Sequence, residues 1–65
     1  MNILINQAAA ELPPAATVSD AIAHAGARPP FAVAVNLQFV PKGRYEQHAL
    51  AEGDRVEIIA PVTGG

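Results

Sequence analysis

The chain has 65 residues, of which 15% are charged and none is cysteine, and its formal net charge is −2. A chain this short makes one small domain that buries only about 60% of the surface its unfolded form exposes, too little to line a deep catalytic cavity. Its basic residues (Arg28, Lys42, Arg44 and Arg55) form no stripe for nucleic acid, and the missing cysteine excludes disulfides and thiolate metal sites.

No apolar run approaches the roughly 18 residues that span a bilayer, and Met1 is followed at once by a strand-like segment rather than an export signal. The expected location is the cytoplasm. Fourteen alanines inflate the apolar fraction of 51%, so the core must come from a short set of larger side chains, Leu37 and Phe39 counted among them.

"NILIN" at residues 2–6 alternates, with Ile3 and Ile5 on one face and Leu4 on the other, which predicts a strand. "QAAAEL" reads as a turn into a short second strand around Glu11 and Leu12, ended by Pro13 and Pro14. "TVSDAIAHAGARPP" predicts the helix. Thr17 is its N-cap and Asp20 the partner in a capping box. Val18, Ala21, Ile22 and Ala25 form its apolar stripe, and Gly26 and Pro29–Pro30 stop it.

"FAVAVN" predicts a central strand with Phe31, Val33 and Val35 on the core side. "NLQFVPKG" turns at Asn36 and adds a short strand that Pro41 halts; "RYEQHAL" is irregular, with Leu50 as its core anchor. "AEGDR" is a tight turn around Gly53, and "VEIIA" closes the sheet with Val56 and Ile58 inward and Glu57 and Ile59 outward. The predicted fold class is α+β: one helix across a mixed sheet of about four to five strands. Residues 1–65 form a single domain, with 60–65 as a flexible tail.

Candidate chemistry within the domain is sparse. His24 and His48 lack the spacing or companions of a metal site, and Ser19 has no base placed to activate it. Glu52, Asp54 and Glu57 fall in a turn and on an outward strand face, where they form a solvated acidic rim suited to a basic partner surface rather than an acid/base pair. No catalytic or metal-ligating residue is assigned.

The tail is different. Pro61 stops the ladder, Val62 and Thr63 favour extension, and Gly64 and Gly65 have no side chains, so the end can thread a narrow channel. Five residues reach roughly 17 Å at about 3.3–3.6 Å each. This pattern points to a carboxylate delivered into another protein's active site. A free carboxylate resists nucleophiles; an ATP-using partner could convert it to an acyl-adenylate, from which a sulfur nucleophile displaces AMP. Sulfur would then ride on Gly65 as a thiocarboxylate, in keeping with a carrier that lacks cysteine.

"TVSDAI", "AVNLQFVPKG" at 34–43 and "LAEGDRVEIIAPVTGG" at 50–65 together resemble the ThiS-type sulfur carriers of thiamine biosynthesis, in the ubiquitin-like β-grasp group. The resemblance implies a β-grasp fold and a non-catalytic protein substrate that binds no cofactor. It implies a ThiF-type adenylyltransferase that spends ATP on Gly65, a cysteine desulfurase or other sulfur donor, and a ThiG-type thiazole synthase as acceptor. Gly64, Thr63, Val62 and Pro61 would be the inserted arm. The MoaD-type small subunit of molybdopterin synthase shares the final strand and glycine tail but is usually longer, and "VNLQFVPK" favours the thiamine branch. Carriers for other pathways, ubiquitin-type conjugation and an interaction module with an inert tail remain alternatives. Strand alternation turns Ile59, Leu4 and Phe39 off the core; if their strands adjoin, they make an apolar docking patch beside the tail root.

Overall fold

The computed structural model describes residues 1–60. Five strands and a helix follow one another as β1 (Asn2–Ile5), β2 (Ala8–Glu11), α1 (Val18–Ala25), β3 (Ala32–Val35), β4 (Gln38–Val40) and β5 (Arg55–Ile59), with a 3-10 turn at Lys42–Arg44. The sheet order is β2-β1-β5-β3-β4, so the last strand in sequence is the middle strand in space. β5 lies parallel to β1 and antiparallel to β3, while each outer strand forms an antiparallel hairpin with its neighbour. The mixed α+β sheet expected from the sequence is the one observed.

Both hairpins close through two-residue turns, Asn6–Gln7 and Asn36–Leu37, whose four φ angles lie between 50° and 69°. Mirror-image turns of this kind match the right-handed twist of the flanking strands and demand positive φ at both positions. Asparagine tolerates that region well, and here its side chain does a second task. Asn6 Oδ1 accepts the Ile58 N–H at 2.8 Å, and Asn36 Oδ1 accepts the Arg55 N–H at 3.0 Å. The two turns thus grip β5 from opposite sides.

The second strand differs from its expected position. It occupies Ala8–Glu11 rather than centring on Glu11 and Leu12, because the Asn6–Gln7 turn pairs Ile5 with Ala8 and sets the register from there. Leu12 follows the strand and is buried, its N–H bonded to the Met1 carbonyl at 2.9 Å.

The helix starts and stops as its sequence dictates. Asp20 Oδ2 accepts the Thr17 N–H at 2.8 Å and the Thr17 hydroxyl at 3.3 Å. At the other end Gly26 takes φ +69°, with Gly26 N–H bonded to Ala23 O and Ala27 N–H to Ile22 O, the paired bonds of a Schellman stop. Val18 and Ala21 are fully buried, Ile22 is half-buried, and Ala25 is exposed, so the stripe is narrower than its spacing suggests. The helix packs across β5.

Ile3, Ile5, Leu12, Val33, Val35, Val40, Leu50 and Val56 complete the core on the helix side. The segment after β4 is anchored by Leu50 and by pairing with the helix entry: Val18 N–H to His48 O at 3.0 Å and Leu50 N–H to Ala16 O at 2.9 Å. Phe31 is only half-buried and stacks on Tyr45 with ring centroids 6.0 Å apart, closing the core's flank. No described helix is long and apolar enough to cross a membrane.

Candidate functional site: the tail root and the outer sheet face

The site is assembled by β5. Alternation sends Val56 inward, where it is 1% exposed, and leaves Arg55, Glu57 and Ile59 on the face away from the helix. The register supplies their neighbours. Ile59 stands opposite Ala32, and Glu57 opposite Ala34, which in turn stands opposite Phe39. Two alanines of β3 therefore form a low floor between Phe39 and Ile59, which are 70% and 56% exposed. Strand and residue spacings put those two positions on the order of 12 Å apart.

Leu4 joins the same face but not the same place. It pairs with Arg55 at the start of β5, about four residues from Ile59, and it is half-buried. The three residues expected to form a patch share the outer face but do not touch through the register: Phe39 and Ile59 stand two strands apart across the alanine floor, and Leu4 lies at the other end of β5 from Ile59. There Leu4 shares a shallow depression with Gln7, Asn36, Leu37, Arg55 and Glu57.

Leu37 is the residue that sequence reasoning missed. Counted toward the core, it sits instead at the tip of a hairpin with φ +68° and is 87% exposed. The available signal was its place as the second residue of a two-residue turn, where no side chain can reach the interior. A leucine in that position is doubly disfavoured, by exposure and by backbone geometry.

Two of the carboxylates considered for catalysis have structural partners. Asp54 accepts the Asn36 amide at 3.0 Å and the Ala51 N–H at 2.8 Å, and Glu52 accepts the Asn2 N–H at 3.0 Å. These bonds close the 51–54 turn on itself and tie it to the start of β1 and to the β3–β4 hairpin, and they modify the picture of a purely solvated rim. Ser19 gives its N–H to Tyr45 O, His24 is exposed, and His48 is half-buried. Among the described residues no group of three or more His, Asp or Glu gathers to hold a metal.

β5 reaches Ile59, and exposed Ala60 leads off the sheet toward the five tail residues. Pro61, Val62, Thr63, Gly64 and Gly65, the expected arm and reactive end, lie outside the described residues. What the fold contributes is the root. That root is the end of the middle strand of the sheet, and β5 is held on both sides by ladders and by the two asparagine grips.

A comparison with curated proteins finds no match. Among solved structures, the chain is similar to the thiamine biosynthesis protein ThiS from Geobacter metallireducens, with a TM-score of 0.82 at 17% identity over 100% of both chains. At that identity the likeness speaks to the fold, and it identifies the sheet and helix as a β-grasp. The profile of the ThiS family matches residues 3–65, from the first core isoleucine through the final glycine. With that match covering nearly the whole chain, the protein belongs to the ThiS family of small sulfur carriers.

Proposed function

We propose that the protein carries sulfur on its C-terminal carboxyl group for thiazole formation in thiamine biosynthesis. The observation that carries this reading is the reach of the family match, which includes Gly65 as well as the fold. In the first step a Gly65 carboxylate oxygen attacks the α-phosphorus of ATP in the active site of a ThiF-type enzyme, and pyrophosphate leaves. The resulting mixed anhydride has AMP as a good leaving group. Hydrosulfide attacking its carbonyl carbon releases AMP and gives the thiocarboxylate directly. A persulfide, supplied by a cysteine desulfurase, gives an acyl disulfide instead; a second thiol then attacks the outer sulfur, forming a disulfide and freeing the thiocarboxylate. The acceptor, a thiazole synthase of the ThiG type, takes the sulfur in exchange for an oxygen from its own substrate or from water, which restores the carboxylate.

In this scheme the protein is a substrate of its partners and supplies no catalytic group. Its part is to present Gly65 at the end of a slim arm and to offer a surface that the partner enzymes grip. Phe39 and Ile59 beside the root support such a grip: exposed large apolar side chains are what an interface buries first. The test is ATP–pyrophosphate exchange catalysed by the cognate adenylating enzyme. The full chain should sustain exchange, whereas a chain ending at Gly64 or extended by one residue past Gly65 should not. Equal exchange by all three chains would sink the proposal and leave a β-grasp interaction module with an inert end.

A further inference from the structure

β4 is an edge strand of the sheet. Because a two-residue turn joins it to β3, the flanking Val35 and Gln38 exchange ladder hydrogen bonds and the next pair, Ala34 and Phe39, does not. The other side of β3 gives the same phase. Asn36 N–H bonds to Arg55 O at 2.8 Å, so alternation turns the main chain of Ala34 toward β5 and away from β4. The N–H and C=O of Phe39 therefore point out of the sheet at its free edge, and its side chain is 70% exposed.

Beyond Pro41, the 3-10 turn carries Lys42 and Arg44, half of the chain's four basic residues. None of the side-chain hydrogen bonds among the described residues involves either of them. A depression lined by Phe39, Val40, Pro41, Arg44 and His48 runs along this edge. Proline and lysine next to an edge would by themselves read as protection against unwanted pairing. An exposed phenylalanine whose main chain faces outward is the opposite of protection.

We propose that this edge receives an extended, carboxylate-bearing segment of the enzyme that primes the tail, added as a strand against β4. Phe39 is its apolar anchor, and Lys42 and Arg44 meet its carboxylates. The inference rests on the carrier reading for the identity of the partner and deepens it. Phe39 borders the alanine floor that leads to Ile59, so the added strand lies alongside the face already turned toward that enzyme. The chemistry selects the occupant. A second copy pairing through its own β4 would bring Gln38, Phe39 and Val40, with no carboxylate for the two cations. A polyphosphate chain would need a longer basic track than two side chains on a chain of net charge −2.

Two measurements with the cognate adenylating enzyme test it. The first is the dissociation constant of the wild-type chain and of the Lys42→Glu/Arg44→Glu double variant, with thermal melts to show that both stay folded. The second is amide hydrogen exchange at Phe39, free and in the complex. The expected results are binding weakened about tenfold or more by the charge reversal, and a Phe39 amide that exchanges fast in the free chain and is protected in the complex. Undiminished binding by the double variant, or a Phe39 amide that exchanges equally fast in the complex, overturns the added strand; continued modification of Gly65 would then leave the carrier reading standing. Wild-type chain that associates with itself through Phe39 and not with the enzyme overturns it as well. An enzyme that neither binds nor adenylates the wild-type chain overturns both.

Discussion

Leu37→Gly should make the protein more stable, an unusual expectation for removal of a leucine from a domain with so small a core. The side chain is 87% exposed, so at ~2 kcal/mol for a fully buried leucine its remaining contacts are worth only about 0.3 kcal/mol. Its φ of +68° is in the left-handed region, which costs a residue with a Cβ roughly 1–2 kcal/mol. Glycine removes that cost but loses more backbone freedom on folding, about 0.5–1 kcal/mol. The balance is a gain of about 0.5 kcal/mol, or a rise in melting temperature of roughly 2–4 °C for a domain of this size. Urea titration and calorimetry on the same preparations read both quantities. Gln7, at φ +69° in the other hairpin, should respond in the same direction. Asn6→Gly is the internal control. It keeps the turn but removes the oxygen that accepts the Ile58 N–H, so it should lose about 0.5–1.5 kcal/mol. If Leu37→Gly destabilised the chain by 0.5 kcal/mol or more, roughly the size of the expected gain, the strain argument would be wrong and the leucine would be packing energy after all.

Substitutions at three further positions probe separate parts of the structure. Val56→Ala deletes two carbons from the centre of the sheet and should cost about 2 kcal/mol once the cavity is included, lowering the melting temperature by roughly 8–16 °C; a shift under 2 °C would contradict the core described here. Asp20→Ala leaves the Thr17 N–H without its acceptor and should cost about 1 kcal/mol by urea titration, with Asp20→Asn losing less. Ile59→Asp places a charge on the outer face at the tail root. It should slow pyrophosphate release by the adenylating enzyme about tenfold while leaving the fold intact, and an unchanged rate would remove Ile59 from the docking surface.

The fold was legible where side-chain period and local chemistry agree. Ile3, Ile5, Val33, Val35 and Val56 alternate, and they are buried; Thr17, Asp20 and Gly26 mark the helix ends, and they act there. The position of β2 is not legible in the sequence because alanine carries little strand preference, and its register is dictated by a turn whose second residue is glutamine rather than glycine. Leu37 misled for the same reason: a turn with leucine in the left-handed position does not advertise itself. Which face a strand residue takes follows from alternation, so the outward positions of Ile59 and Leu4 could be read in advance. Their separation along β5 could not, since it depends on the parallel register of β1, which no local pattern encodes. The grips of Asn6 and Asn36 on β5 were equally hidden, being contacts between residues 52 and 19 positions apart.

The account stands or falls on the last carboxyl group. Incubation of the intact chain with its adenylating enzyme, ATP and hydrosulfide, followed by mass spectrometry of the C-terminal fragment, asks the question at the atom concerned. One oxygen of Gly65 exchanged for sulfur, dependent on ATP and on the enzyme, is the expected spectrum. An unmodified C-terminus beside an enzyme that demonstrably forms adenylate, or sulfur found on any other residue, would contradict it.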